Sequence, residues 1–167
     1  MIYKLLGSVF IIIGILGVGM GISSGARFRI DNLKSLKHDL NILLSEILHN
    51  RSTFANAISS INSELSIVYK EILTGLSNNN SVQSSWAYSF NKYREKLYFT
   101  KNDVENIKQI GQIFSSPDYT YQKNELTAYI DELERNIEGL EEKYKKDIRL
   151  YRSIYTSAAA LIVVLLF

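Results

Sequence analysis

Residues 116–167 read SPDYTYQKNELTAYIDELERNIEGLEEKYKKDIRLYRSIYTSAAALIVVLLF, and this stretch decides the fold. Its apolar residues recur at alternating steps of four and three, with one extra step of four, which predicts a single long helix with one apolar seam. The seam consists of Leu126, Ile130, Leu133, Ile137, Leu140, Tyr144, Ile148, Tyr151 and Tyr155. Ser116 is expected to cap the helix and Pro117 to take its first position. Opposite charges four residues apart, as at Asp131 and Arg135, should stabilise the exposed face.

The two ends of the chain have the composition of membrane anchors. Residues 5–26 carry no charge over twenty-two positions, which is enough for one helix across a hydrocarbon core of about 30 Å. Residues 154–167 also lack ionisable side chains, but fourteen residues are short for a full crossing. A cleaved signal peptide is an alternative for the first segment, although its basic start is thin and two arginines follow it closely.

Three glycines in the first anchor are spaced four residues apart, which places them on one helix face where another membrane helix could approach closely. These are Gly17, Gly21 and Gly25. A dinucleotide-binding loop is excluded because the glycine spacing is wrong and no βαβ unit follows.

The charge distribution gives the expected topology. Basic residues crowd the inner flank of each anchor, whereas the outer ends carry only Lys4. By the positive-inside rule the chain should consist of an N-terminal transmembrane anchor (1–26), a cytoplasmic domain (27–153) and a membrane-inserting tail (154–167). The net charge of +2 is small and the charges are mixed, so no nucleic-acid partner is expected.

Between the anchors, every segment repeats the helical spacing. One seam runs from Leu33 to Ile47, a second from Phe54 to Ile72 behind a cap at Ser52, and a third from Val82 to Leu97. Residues 75–81 predict a flexible loop, and Asn102 with Glu105 predicts the cap of a further helix. No alternation typical of strands occurs. The sequence therefore predicts an all-α antiparallel bundle of about five helices, flanked by the transmembrane helix and the hydrophobic tail.

The sequence offers little chemistry. The chain has no cysteine, and its two histidines, His38 and His49, are eleven residues apart, which does not suit a shared metal. The acidic residues of 131–142 have Arg135 among them and lysines from residue 143 onward just after them, as on a solvated helix face. We find no phosphate loop and no nucleophile with a neighbouring base. The protein is predicted to be neither an enzyme nor a cofactor-binding or metal-binding protein.

The segment around Gly111 carries a family resemblance. Gly111, Asp118 and Gln122 have the spacing of a motif in the stage III sporulation protein AB family, which the chain resembles over nearly its whole length. Glu46 and the lone Trp86 also match that family, whereas a serine replaces the second glycine of the motif. The family is in turn similar to the platform-protein domain of type II secretion (system F) and type IV pili.

The resemblance implies a function that the residues alone do not show. It implies a membrane platform in the sporulation channel between mother cell and forespore, on the mother-cell membrane surrounding the forespore. The expected partners are the secretion-type ATPase of the same operon (stage III sporulation protein AA) and other channel components. The motif residues, Glu46 and Trp86 are candidate partner contacts, but close helix packing and capping explain the motif as well. A sensory module and a generic helical scaffold, with homo-oligomers formed through the 126–155 seam, remain alternatives.

Overall fold

The computed structural model describes the backbone of residues 2–49 and 53–166 and the side chains of residues 24–47 and 53–158. All regular structure in these ranges is helical, which confirms the all-α prediction. The helices in chain order are α1 (Ile2–His49), α2 (Phe54–Ser59), α3 (Ser66–Ser77), α4 (Val82–Lys92), α5 (Lys101–Ser115) and α6 (Tyr119–Leu166).

The chain divides into two compact units. One comprises Phe28–Glu138, and the other comprises Met1–Arg27 with Gly139–Phe167. The unit Phe28–Glu138, called the bundle below, contains the hydrophobic core. The predicted boundaries at residues 27 and 153 therefore differ from the limits of this compact unit, because the last part of the predicted domain groups with the chain ends.

The core of the bundle is built from the predicted seams. The α1 residues Leu33, Leu36, Leu40 and Leu43 are each at most 1% exposed, as the helical spacing requires. Trp86 of α4 is completely buried, and its indole N–H donates to the carbonyl of Ile107 at 2.9 Å. The rings around Trp86 come from α4 itself and from three other helices, and they lie 5.0–6.4 Å from it, at Phe54, Tyr69, Phe90 and Phe114. Aromatic packing of this kind fixes the relative positions of α2 to α5.

Polar contacts attach α1 to α5, to the connection between α4 and α5, and to α6. Arg29 forms a bidentate pair with Asp103 of α5, with both N–O distances 2.7 Å. The buried Asn32 side chain donates to the carbonyl of Leu97 at 3.0 Å, and the Lys37 ammonium lies 2.7 Å from Glu134 of α6. Removing the buried polar groups from water costs free energy, and their hydrogen bonds offset this cost only in this arrangement. These groups therefore specify the packing of α1.

One predicted helix is two helices. The seam from Phe54 to Ile72 was expected to lie on a single helix, but the helix ends at Ser59 and resumes at Ser66. The break is stabilised from outside the segment: Asp39 of α1 accepts hydrogen bonds from Ser63 at 2.6 Å and from Tyr69 at 2.8 Å. Ser63 also accepts from the backbone N–H of Leu65, which favours a turn over a helix.

The predicted caps are displaced by a few residues. The fourth predicted helix is capped by Thr100, which forms a capping box with Asp103, and not by Asn102 with Glu105. Thr53 caps α2, whereas the predicted cap Ser52 lies outside the described residues. The chain offers several residues with capping side chains near each helix start, and tertiary contacts select among them. Arg29 selects Asp103 in this way, because the same carboxylate serves the ion pair and the cap.

The predicted loop at 75–81 is shorter than expected. Helix α3 continues to Ser77, and the connection to α4 occupies residues 78–81, with Asn79 at φ 62°. Gly75 is helical and lies against Ser85 of α4, so closely that an added Cβ would stand 2.6 Å from the Ser85 hydroxyl. Gly75 therefore serves close helix packing and not loop flexibility.

Only the first part of the predicted α6 seam is buried in the bundle. Leu126, Ile130, Leu133 and Ile137 are at most 7% exposed and complete the core of the bundle. Farther along, Ile148 and Tyr151 are exposed. The predicted surface pair of Asp131 and Arg135 does not form an ion pair among the described residues. An oligomer built through the whole 126–155 seam is therefore excluded in the folded chain, because its first half is already covered.

Most of each predicted anchor lies outside the residues whose side chains are described, and this includes Gly17 and Gly21. Gly25 lies on α1 and is partly exposed. In the described part of the chain, we find no helix with the length and apolar character needed to span a membrane.

Candidate interaction surface

The connection between α5 and α6 forms a tight corner, residues 116–122, held by its own side chains. Asp118 caps α6, accepting from the backbone N–H groups of Thr120 at 2.8 Å and Tyr121 at 3.2 Å. The predicted cap Ser116 instead ends α5, its N–H bonding to the carbonyl of Ile113. Proline 117 lies between the helices and not at the first helical position, because α6 begins at Tyr119.

Gln122 closes the corner. Its side-chain amide donates to the carbonyl of Ser116 at 2.5 Å, reaching back over six residues to the end of α5. Its Oε1 atom is buried and has no hydrogen-bond partner. Opening of the corner would break the bond from the Gln122 amide to Ser116, whereas the unpaired Oε1 atom is a cost that opening would relieve. The bond ties the first turn of α6 to the end of α5.

Gly111 lies below the corner, where α5 crosses α4. A Cβ added at this glycine would stand 3.0 Å from the Cβ of Trp86 and 3.1 Å from the Cα of Gln83. Its carbonyl accepts a hydrogen bond at 2.7 Å from Ser115, the residue that stands where the family has a second glycine. The absence of a side chain at Gly111 is therefore required for the contact between α4 and α5.

The corner presents two aromatic side chains to solvent. Tyr119 is 53% exposed and Tyr121 is 46% exposed, and the capping residue Asp118 is exposed beside them. Tyrosine is enriched in protein interfaces because a rigid ring gives a large contact area at low entropic cost. Because residues two apart on a helix point to different sides, each ring offers its own contact area next to Asp118.

The bundle also has a concave region, a polar groove of about 420 Å³. Amide and charged side chains of α5 and α6 line it, among them Asn102, Asn106, Tyr129, Glu132 and Asn136. Burial, with the nearby negative charges of Glu132 and Asp103, raises the pKa of Tyr129, so its phenol is neutral at ordinary pH. The groove therefore offers hydrogen-bond donors and acceptors to a ligand.

Asp103, at the edge of the groove, is held as a carboxylate. Burial acts to raise its pKa, but the Arg29 guanidinium and the bonds from Thr100 outweigh burial and lower the pKa of Asp103 below its ordinary value. Asp103 therefore remains charged at all physiological pH values and is committed to structure. The described residues contain no group of three or more metal-ligating side chains.

The remaining predicted contact residues are distributed differently from the prediction. Trp86 and Gly111 are buried, so neither presents a surface to a partner, and their role is to pack the core under the corner. Glu46 is half-buried on α1. The structure places Asp118 and Gln122 in the corner and Gly111 against α4, so the three motif residues do not form one cluster. Tyr119 and Tyr121 were missed, because the spacing of apolar residues gives no signal before the first seam residue.

Comparison with known proteins supports the relationship suggested by this motif. The model of the family described as stage III sporulation protein AB (spore_III_AB) matches residues 4–167. The chain belongs to the stage III sporulation protein AB family. Stage III sporulation protein AB of Bacillus subtilis (strain 168) is 23% identical over 168 residues, covering 98% of each chain.

A solved structure of stage III sporulation protein AB (SpoIIIAB) has the same fold. It matches with a TM-score of 0.62 at 20% identity, over 71% of this chain and 97% of that one. Membership in the stage III sporulation protein AB family supports a role in sporulation, and the family is named for that role and not for a catalysed reaction.

Proposed function

We propose that this protein is a non-enzymatic membrane platform of the sporulation channel between mother cell and forespore. It would be anchored in the mother-cell membrane by residues 1–26 and 154–167, with the bundle in the cytoplasm. There it would couple a secretion-type ATPase, stage III sporulation protein AA, and other channel components to the membrane assembly. Family membership supports the sporulation role, and the basic flanks of the apolar ends support the anchoring and its orientation.

The observation that carries the proposal is the construction of the corner at residues 116–122. Asp118 and Gln122 hold the backbone there, and the exposed side chains of the corner include Tyr119 and Tyr121. A rigid corner with exposed aromatic rings is a suitable docking surface, because little entropy is lost on binding.

The position of the corner in the bundle also favours this role. From Tyr119, α6 runs to the end of the bundle at Glu138, a length of roughly 29 Å at 1.5 Å per residue. The corner is thus at the opposite end of this stretch of α6 from the point where the chain leaves the bundle for its apolar tail. A partner in the cytoplasm could reach it.

Pull-down of the ATPase by the full-length protein tests the proposal. The double variant Tyr119→Ala/Tyr121→Ala should lose tenfold or more in affinity, since interface tyrosines commonly contribute 1–2 kcal/mol each or more. Tyr88→Ala is the matched control, because Tyr88 is 61% exposed on α4, away from the corner. Binding by the double variant equal to that of the unmodified protein would reject the corner as the docking surface.

Asp118→Asn divides the role of Asp118 further. Asparagine caps a helix about as well as aspartate. The free energy of unfolding of the variant should therefore stay within about 1 kcal/mol of that of the unmodified protein. Reduced ATPase binding with unchanged melting would indicate a contact made by the charge. Unchanged binding would confine Asp118 to capping α6.

A further inference from the structure

The α6 residues between the bundle and the apolar tail form a segment with two different faces, called here the basic segment (residues 143–155). Lys145, Arg149 and Arg152 follow one another at steps of four and three and therefore share a helix face. All three are exposed. From Lys143 to Arg152 the chain has five basic residues and one acidic residue, Asp147.

The opposite side of the basic segment is apolar and open to solvent. Ile148 and Tyr151, in the continued seam, are 39% and 40% exposed. Beside them Leu150 and Ile154 are 59% and 51% exposed, on the same face four residues apart. The rings of Tyr151 and Tyr155 stack at 6.3 Å, which gives this face a flat aromatic surface. Apolar exposure of this extent on one helix indicates a surface that is covered in use.

The two arginines of the segment have no acidic neighbour along the helix. Among the described residues, Lys145, Arg149 and Arg152 form no ion pair, whereas basic residues of α1 do, as at Arg29 with Asp103. Glu141 and Glu142 stand four residues before Lys145 and Lys146, but no acidic residue stands three or four positions from Arg149 or Arg152. These arginines therefore present positive charge beside exposed aliphatic and aromatic side chains.

We propose that the basic segment binds the phosphate groups of anionic lipids at the membrane surface; this inference rests on the proposed membrane anchoring. Arginine forms paired hydrogen bonds to phosphate oxygens, which suits Arg149 and Arg152. Tyr151 and Tyr155 are of the type that collects at the interface between headgroups and acyl chains, which places Arg149 and Arg152 at the level of the headgroups. A cluster of Lys and Arg next to a membrane anchor is typical of such binding.

Charge argues for this occupant over a second copy of the chain. Two copies paired through the apolar face would leave the basic side chains on the outside without negative partners, because the segment has only Asp147 to offset five basic residues. An anionic membrane surface instead supplies the missing negative charge to every basic side chain at once. Each basic residue near such a surface strengthens binding about fivefold.

Native mass spectrometry of the full-length protein, purified in detergent and mixed with phosphatidylglycerol or phosphatidylcholine, tests the inference. The unmodified protein should retain phosphatidylglycerol in preference to phosphatidylcholine. Arg149→Gln/Arg152→Gln should weaken this retention roughly 25-fold, from about fivefold per charge. The control Lys101→Gln/Lys123→Gln removes two exposed basic residues of the bundle and should retain lipid as before.

Three outcomes would overturn the inference. These are equal retention of both lipids by the unmodified protein, unchanged phosphatidylglycerol retention by the arginine double variant, and a disulfide-linked dimer formed in vesicles by Tyr151→Cys. The last would show that a second copy covers the apolar face. Resistance to carbonate extraction, measured in parallel, separates this inference from the proposed function. An anchored protein without lipid preference refutes only the inference, whereas an extractable protein refutes the anchoring itself.

Discussion

Substituting alanine at Gly111 and at Gly139 should change stability in opposite directions, although both glycines lie in helices. A Cβ at Gly139 would have no atom within 4 Å. Gly139→Ala therefore gains only the helix propensity of alanine, about 1 kcal/mol. At Gly111 the new Cβ would meet Trp86 Cβ at 3.0 Å, Gln83 Cα at 3.1 Å and Gln83 O at 3.3 Å. These distances are shorter than ordinary contact by a few tenths of an ångström.

The identity of the atoms around Gly111 decides the sign. Two of the three belong to the backbone of α4, which moves only as a whole helix, and the third belongs to Trp86, whose indole is bonded to the Ile107 carbonyl. Overpacking of this kind costs about 1–3 kcal/mol. Subtracting the propensity gain of about 1 kcal/mol leaves a net loss of roughly 0–2 kcal/mol. The two variants should therefore differ by about 1–3 kcal/mol, or roughly 2–12 °C in melting temperature for a chain of this size.

Thermal and urea unfolding of the full-length variants, followed by circular dichroism, measures this difference. Gly139→Ala serves as the internal control for helix propensity. A Gly111→Ala protein that melts at or above the temperature of the unmodified protein would refute the reasoning. It would mean that α4 and α5 separate at little cost, and that Gly111 has some purpose other than close packing.

Two further predictions concern the core and the ion pair. Leu133→Asp places a carboxylate on a seam position that is 6% exposed, so it should lower the free energy of unfolding by several kcal/mol and unfold much of the protein. Glu138→Ala, at an exposed position, should change the stability measured in urea by less than about 0.5 kcal/mol. The reverse order would refute the assignment of the seam. Because the folded pKa of Asp103 is lowered, its ion pair stabilises the fold above the ordinary carboxyl pKa near 4, and this contribution is lost as pH falls through the folded value. The Asp103→Asn protein should therefore be about 3 kcal/mol less stable at neutral pH, because Arg29 loses its partner. Thermal melts at several pH values should also show that the variant lacks this acid dependence. An unchanged acid dependence would show that other carboxylates cause it.

The sequence predicted the helices well where burial alone determines the spacing. The seams of α1 and the first half of the α6 seam are buried as expected, because one face of each helix must enter the core. The prediction of helix boundaries failed where a residue distant in the sequence stabilises a break in the helix. The break between α2 and α3 depends on Asp39, which is 24 residues from Ser63 and 30 from Tyr69, and no local pattern contains that information.

Prediction of the site was limited for the same physical reason. The motif located the corner, and capping rules suggested a role for an acid at Asp118, but the choice of Asp118 over Ser116 as cap depends on where α5 ends. Exposure of Tyr119 and Tyr121 depends on which side of α6 meets the bundle, which spacing cannot resolve before the first seam residue. Trp86 looked equally suited to a core and to an interface, and only its surroundings decide between them.

The bidentate pair of Arg29 and Asp103 also restricts the rotational setting of α1. A slip of one residue along the axis would turn Arg29 by about 100° and move it about 1.5 Å, so both 2.7 Å bonds would be lost together. The same carboxylate accepts the N–H of Thr100, so the slip would also disturb the first turn of α5. Turning of α1 in the bundle is thus mechanically linked to the start of α5, and torque applied to one helix would be felt by the other.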